Sequence, residues 1–465
     1  MAAADADQGR KTDDATAGAV VSSTAAAATT ALFTDHYELT MFEAALASGL
    51  AGRRAVFEVF ARSLAPGRRF GVCCGLARVL DAIRAFRFGP DDLAFMERTG
   101  VVGPKTLAHL EQLRFSGDVW AYAEGELFFP YSPILTVEAP WGEANLLETV
   151  VLSILNHDSA VASAAARMSI AAGDRPLIEM GGRRTDAEAA VHAARAAYIT
   201  GFSSTSNLEA GRRYGIPTAG TASHAFVLGH ESEAEAFAAQ VRAMGQETTL
   251  LVDTFDIEQG IRTAVQVAGP GLGAIRIDSG GLAAEAHRAR ELLDRLGARR
   301  TRIVVSGDLD EWALLELAGA PVDAYGVGTR LVTGSGHPTA GFVYKLVARA
   351  DREGPDAPLR PVAKLSEHKA TRGGRKRAWR LLDASGQALA ERAVAEGAEG
   401  SEPADVGPHR ARVRELQVQA MESGEVVHRP ALEEVRAHHR SAREELPPEG
   451  LVLHDGPPVL TLEDH

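Results

Sequence analysis

The sequence predicts an α/β protein, with a first α/β unit up to about residue 146 and a βα barrel, closed or incomplete, over about 147–345. Three observations lead there. Short apolar runs recur, each followed by polar or Gly-rich residues and then a helix-like segment: "PLIEMGGRR", "AYITGFSSTSN", "IPTAGTASH", "TTLLVDTFD", "GAIRIDSGG", "RIVVSGDLD" and "DAYGVGTR". The runs lie mostly about 20 to 30 residues apart, the length of a strand, loop and crossover helix. Their apolar character is continuous rather than alternating, which implies strands covered on both faces. About seven such units point to a βα barrel, closed or incomplete.

The elements follow in order. Residues 1–30, rich in Ala, Asp, Thr and Ser, read as a disordered leader. Asp5, Asp7, Asp13 and Asp14 exclude a transit peptide, and no basic start with an apolar core marks a signal peptide. Order begins at "ALFTDHYELTMFEAAL", where Asp35 caps a helix carrying Leu39, Met41 and Phe42. "RAVFEVFARSL" alternates as a strand, and residues 76–114 are helical, with Pro90 and Pro104 as starts. "DVWAYAEGELFFP" and "PILTVEAPW" return to strand, and "EANLLETVVLSILNHDSAVASAAARMSIAA" is a long helix. After Lys345 the barrel rhythm stops; residues 346–382 complete the first domain, with hairpins turning at "DASGQ". Residues 383–465 form a charged extension, in which "PALEEVRAHHRSAREELPP" is a helix with acids early, bases late and a Pro stop.

Composition limits the function classes. The 465 residues carry 49 Lys plus Arg against 62 Asp plus Glu, a net charge of −13, which argues against coating nucleic acid. No apolar run approaches the roughly 20 residues of a membrane-spanning helix. The two cysteines, Cys73 and Cys74, are adjacent and suit no ordinary bridge or metal site, so a reducing cytoplasm is expected and both thiols belong to the core. His157 is expected in helix packing or at its surface, and His438 and His439 at the surface.

In a parallel barrel, functional side chains gather at the carboxyl ends of strands. Just past each run lie Arg183 and Arg184; Ser203, Ser204, Thr205, Ser206 and Asn207; Thr221 and His224; Asp253 and Asp256; Arg276, Asp278 and Ser279; Ser306 and Asp308; Gly326, Gly328 and Thr329. Arginines, hydroxyls and Gly-rich turns suit phosphate oxygens, while carboxylates suit ribose hydroxyls or magnesium. Asp278 ends an apolar strand, a costly place for a carboxylate unless it is paired or working. Gly326 to Gly328 reads as an ordinary turn until Thr329 and Arg330 follow it late in the barrel, where phosphate sites often lie. In "GTASHAF", four small residues lead to one imidazole, His224, at the start of a helix.

The motifs "LFTDHYELTM", "ETVVLSILN", "IEMGGRR", "GFSSTSN", "GTASHAF", "IRIDSGG", "VVSGDLDE", "YGVGTRLVT" and "AKLSEHK" together resemble the nicotinate phosphoribosyltransferase family, over about Leu32 to Arg380. The resemblance implies the type II phosphoribosyltransferase fold: an α/β domain built from both ends of the chain, packed on an incomplete βα barrel. It implies a homodimer with active sites near the subunit interface. It also implies transfer of phosphoribosyl from phosphoribosyl pyrophosphate to nicotinate, assisted by ATP and requiring magnesium, in NAD salvage. Relatives that use nicotinamide or quinolinate, and a non-catalytic ligand-binding paralogue, remain the alternatives.

By the same resemblance His224 is phosphorylated by ATP, with Asp278 expected to hold its other ring nitrogen. Tyr37 is expected to stack on the pyridine ring from the partner subunit. Arg183, Arg184 or Arg276 would face anionic groups, Ser203, Ser204, Thr205 and Ser206 would lie beside the sugar, and Asp308 would bind ribose hydroxyls. Gly326, Gly328 and Thr329 would hold the 5′-phosphate. Two departures stand out: Gly281 replaces the acidic residue usual after "DSG", and "KLSEHKATRGGRK" lacks the usual Pro-Gly.

Overall fold

The Asp35 side chain accepts from the His36 amide and opens the His36–Ser48 helix, which stops at Gly49 in the left-handed region. Pro90 and Pro104 begin the Pro90–Thr99 and Pro104–Gln112 helices, where a missing N–H loses nothing. These helices pack on a seven-stranded antiparallel sheet. Its order is Leu359–Pro361, Phe342–Ala350, Arg54–Ala61, Leu135–Pro140, Asp118–Tyr122, Gln417–Glu422 and Glu425–Val426. The computed structural model describes residues 29–354, 356–364, 372–397 and 412–464. The expected leader up to residue 28, and "AKLSEHK" beyond Lys364, lie outside the described residues.

The sheet takes strands from early, middle and late sequence. Phe342–Ala350 crosses the boundary expected at 345, and Gln417–Glu422 pairs with Asp118–Tyr122 although it belongs to the charged C-terminal segment. The hairpin around "DASGQ" forms between Lys376–Leu382 and Ala388–Ala395, in a separate four-stranded sheet with Arg412–Glu415 and Leu462–Asp464.

The barrel sheet has six parallel strands, ordered Ser204–Thr205, Leu177–Glu179, Ala324–Val327, Arg302–Ser306, Ala274–Ile277 and Thr249–Leu251. The seventh expected strand, in "IPTAGTASH", contributes a single bridge from Thr218 to Thr205. Pro217, which has no N–H to donate, and Gly220 there leave too few donors and too little apolar length for a ladder. The barrel is therefore incomplete.

One helix joins the two halves. Glu148–Ala172 buries Val150, Val151, Ile154 and Leu155 in the first core and Val161, Ala162, Ala165 and Met168 in the barrel core. At 25 residues it is roughly 37 Å long. Buried ion pairs reinforce the junction: Arg195 on the barrel helix Ala187–Ile199 forks onto both oxygens of Glu124, at 2.6 and 2.7 Å. Cys73 and Cys74 are buried free thiols, as expected, and burial pushes both up in pKa.

The C-terminal helix Leu432–Glu444 corrects the expectation for its histidines. His439 is buried and its Nδ1 donates to the Gly125 carbonyl at 2.9 Å; His438 is half-buried, with Nε2 3.1 Å from Glu126. Adjacent residues point about 100° apart on a helix, and here both directions meet protein because the helix lies against the 123–126 turn. Burial pushes the Glu126 carboxyl up, but His438, Arg380 and Arg414 outweigh that and hold it well below the usual range.

Burial lowers the His439 pKa to about 4, against about 6.5 in an unfolded chain. As pH falls through 6.5 the unfolded chain takes up a proton that the folded one refuses, so stability is lost from about pH 6.5 down to about pH 4. Between pH 7 and 5 this residue alone removes about 2 kcal/mol. Urea unfolding at both pH values should show that loss in the wild type and its disappearance in His439→Leu; an equal loss in both proteins would mean that His439 does not titrate this way.

Candidate active site

The carboxyl ends of the six strands open on one side, and a cavity of about 170 Å³ lies there. It is lined by Met180, Arg183, Arg184, Arg276, Asp278, Ser306, Gly307, Asp308, Gly326, Gly328 and Thr329. A larger hollow of about 550 Å³ lies outside the barrel, between helices bearing Ile261, Arg288 and Leu292. The smaller cavity is the one with converging arginines and carboxylates, and chemistry rather than size selects it.

Two adjacent strands, Ala274–Ile277 and Arg302–Ser306, hold its floor through one hydroxyl. Ser306 Oγ accepts from Arg276 Nε at 2.9 Å and donates to Asp278 Oδ1 at 2.5 Å. Arg276 also reaches Thr221 Oγ1 at 2.7 Å, tying the loop before His224 to the cavity. The guanidinium lies 3.6 Å from Asp278, so cation and carboxylate fix one another's orientation. Gly307 has φ +111, and a Cβ there would meet the Asp278 carbonyl at 2.6 Å. Asp308 follows with φ +37, an uncommon left-handed conformation for a side-chain-bearing residue that turns it to the exposed mouth.

His224 begins the short His224–Leu228 helix, with Nδ1 3.1 Å from the Thr254 hydroxyl and 41% of its side chain exposed. Its nearest carboxylate is Asp253, with Oδ1 3.9 Å from Nε2. The expectation that Asp278 holds the ring is corrected: Asp278 is engaged by Ser306 and Arg276. Asp253 accepts from the Asp278 amide and from Ser279 Oγ, both at 2.8 Å, through Oδ2. Its buried Oδ1 has no hydrogen-bond partner and faces the imidazole.

Other expected residues serve the frame. Ser203 Oγ donates to the Leu177 carbonyl, Thr205 is buried against Glu179, and Asn207 and Asp256 cap helices at Ala210 and Gln259. Ser204 is half-buried on its strand and Ser206 is exposed beside it. Tyr37 does not line the cavity; it is exposed on the first helix, where burial of its hydroxyl, then Glu148 and Glu38, raise its pKa. Sequence reasoning missed Thr254 and Glu179. Glu179 carries the same signal that singled out Asp278, a carboxylate at the end of an apolar strand.

Comparison with known proteins places the chain in a family. The family described as nicotinate phosphoribosyltransferase (NAPRTase) N-terminal domain matches residues 32–156. Nicotinate phosphoribosyltransferase pncB1 of Mycobacterium tuberculosis is 52% identical over 437 residues, which cover 92% of this chain and 94% of the relative. The chain belongs to the nicotinate phosphoribosyltransferase family. A nicotinate phosphoribosyltransferase of Bacillus subtilis is 37% identical over 365 residues, covering 76% of this chain and 74% of that one. The crystal structure of human nicotinic acid phosphoribosyltransferase superposes with a TM-score of 0.77 at 27% identity, covering 92% and 97% of the two chains. A nicotinate-nucleotide pyrophosphorylase structure from Pyrococcus furiosus, at 24% identity and a TM-score of 0.73 over 89% and 95%, shares the fold.

The departure expected at Gly281 has a simple structural reading. Gly281 caps the Leu282–Arg295 helix with φ −78, and a Cβ would meet nothing within 4 Å. Asp at a helix N-cap is favoured over Gly by a few tenths of a kcal/mol. Gly281→Asp should therefore unfold at the same temperature as the wild type or slightly above it. A melting point several degrees lower would show that the position needs glycine after all.

Proposed function

We propose that this protein transfers phosphoribosyl from phosphoribosyl pyrophosphate to nicotinate, with ATP assistance, giving nicotinate mononucleotide and pyrophosphate in NAD salvage. The observation that carries this is the convergence of Arg183, Arg184, Arg276, Asp278, Ser306, Asp308 and the Gly326–Gly328 turn on one cavity at the strand ends. The pyridine nitrogen forms a bond to the anomeric carbon as the bond to pyrophosphate oxygen breaks. Nicotinate nitrogen is already a nucleophile, so the protein's task is to position it and to stabilise departing negative charge. Arg276, held rigid by Ser306 and Thr221, suits that task, and Asp308 at the mouth suits ribose hydroxyls.

ATP enters through His224 in this reading. A ring nitrogen attacks the γ-phosphoryl group, the N–P bond forms and ADP leaves. Thr254 orients the ring, and the partnerless Asp253 oxygen supports the imidazolium as charge builds. Gly220, Thr221, Ala222 and Ser223 leave room for the phosphoryl group.

Among the described residues no three or more His, Cys, Asp and Glu side chains gather as a metal cluster. Magnesium commonly takes one or two carboxylates together with substrate phosphates, a mode that Asp278 and Asp308 fit. Bound there, it would neutralise charge on the pyrophosphate.

A homodimer fits the exposed apolar face of Tyr37 and Met41, four residues apart on one helix, with Leu32 and Phe33 just before them. Tyr37 would then stack on nicotinate in the partner's cavity. No helix among the described residues is long and apolar enough to cross a membrane. Two free buried thiols suit the cytoplasm.

Turnover measured with nicotinate, nicotinamide and quinolinate, each with and without ATP, tests the reading. Nicotinate should be the preferred substrate and ATP should stimulate it; preference for either other pyridine, or no turnover, would replace the proposal. His224→Ala should keep some transferase activity but lose ATP stimulation and the acid-labile label left by γ-labelled ATP. Equal labelling of the variant would put the phosphoryl group elsewhere.

A further inference from the structure

We infer that Glu179 is a positioning residue for this reaction, its buried carboxylate keying together two of the loops that hold substrate. The inference rests on the proposed transferase reading. Glu179 ends the Leu177–Glu179 strand, is fully buried, and pairs with no Lys, Arg or His among the described residues. A carboxylate buried without a cation is expensive, and burial pushes its pKa above the usual range. An apolar residue would fill the same space at less cost, so the two acceptor oxygens need a use.

Both have one. Oε2 accepts from the Thr205 hydroxyl at 2.5 Å, and Oε1 accepts from the Gly181 amide. Thr205 Oγ1 in turn accepts from the Asn207 amide at 2.9 Å, at the cap of the Leu208–Tyr214 helix. One side chain thus fixes the serine-rich loop on one flank and the start of the "GGRR" turn on the other. The sheet ladder already aligns Glu179 with Thr205 and with Val327, and ends with the Ser206 amide donating to the Glu179 carbonyl and the Met180 amide to the Val327 carbonyl. Beyond it, only the carboxylate reaches forward to the Gly181 amide.

Gly181 cannot drift once held. A Cβ at that position would sit 2.2 Å from Val332 Cγ1 and 3.2 Å from the Gly328 carbonyl, so its backbone is pressed against the segment after the Gly326–Gly328 turn. The Arg184 amide donates back to the Gly181 carbonyl at 2.8 Å, closing the turn that presents Arg183 and Arg184 to the cavity. The geometry makes Glu179 a keystone for groups that bind anions without touching the anion itself. Only a carboxylate accepts from both donors at once; Gln accepts one and must donate at the other, which the Thr205 hydroxyl permits.

The test compares wild type, Glu179→Leu, Glu179→Gln and Thr205→Val by saturation kinetics, calorimetry with inorganic pyrophosphate, and thermal unfolding. Glu179→Leu should raise KM for phosphoribosyl pyrophosphate and weaken pyrophosphate binding by roughly tenfold to a hundredfold, with kcat less affected, and Glu179→Gln should recover most of the loss. Thr205→Val, which cuts one link, should give a smaller shift in the same direction. If Glu179→Leu folds with wild-type KM and pyrophosphate affinity, or loses only melting temperature, the positioning role is wrong. If Glu179→Leu fails to fold, Thr205→Val decides: unchanged KM and affinity would overturn the inference. A wild type that turns over none of the pyridines would sink the reaction instead, while the calorimetry still judges Glu179.

Discussion

The Glu148–Ala172 helix is the constraint on which the rest of the structure depends. Its first half belongs to one hydrophobic core and its second half to the other. Small residues make the close approach possible: Ser159 and Ser163 accept from the Cys74 and Val72 amides, at 3.0 and 2.9 Å, and Ala162, Ala165 and Ala166 let neighbours pack against the helix axis. A larger side chain at any of these positions would overpack both the helix and the extended segment it supports. Since a helix is stiff, movement of one domain against the other would require breaking one of the two cores.

Charge pairing then completes what apolar packing begins. The Glu124–Arg195 fork crosses between the domains, while Glu126 and Glu391, both fully buried, gather Arg380, Arg414, Tyr122 and Ser132 from distant parts of the chain. Such groups gain modest stability for their desolvation cost, but leaving any partner unpaired is strongly unfavourable. The late strands and the C-terminal helix are therefore held in one register.

The site obeys the same logic at smaller scale. Arg276 is not held by the Asp278 carboxylate alone. Hydroxyls do the holding: Ser306 and Thr221 for Arg276, and Thr254 for His224. This fixes the direction of the guanidinium and the imidazole, and in the proposed reaction it would supply the preorganisation that displacement of a charged leaving group needs.

Much of this was legible in the sequence. Continuous apolar runs at regular spacing predict parallel strands, and in such a sheet the residues just past each run must share one end; that alone brings Arg183, Arg276, Asp278, Ser306, Asp308 and Gly328 together. Local signals also suffice for Asp35, Pro90 and Pro104, because caps and helix starts depend on neighbours within one turn. What escaped depends on contacts between residues far apart. The choice of Asp253 and Thr254 over Asp278 beside His224 turns on which neighbouring strand end faces the loop, and the burial of His439 turns on a helix docking more than 300 residues after the turn it covers. The sequence by itself determined which residues sit at strand ends, since a strand's period and length are local. Only the tertiary structure decided which of them meet, because side-chain pairing across strands is set by sheet order and packing, and neither is written in any one stretch of chain.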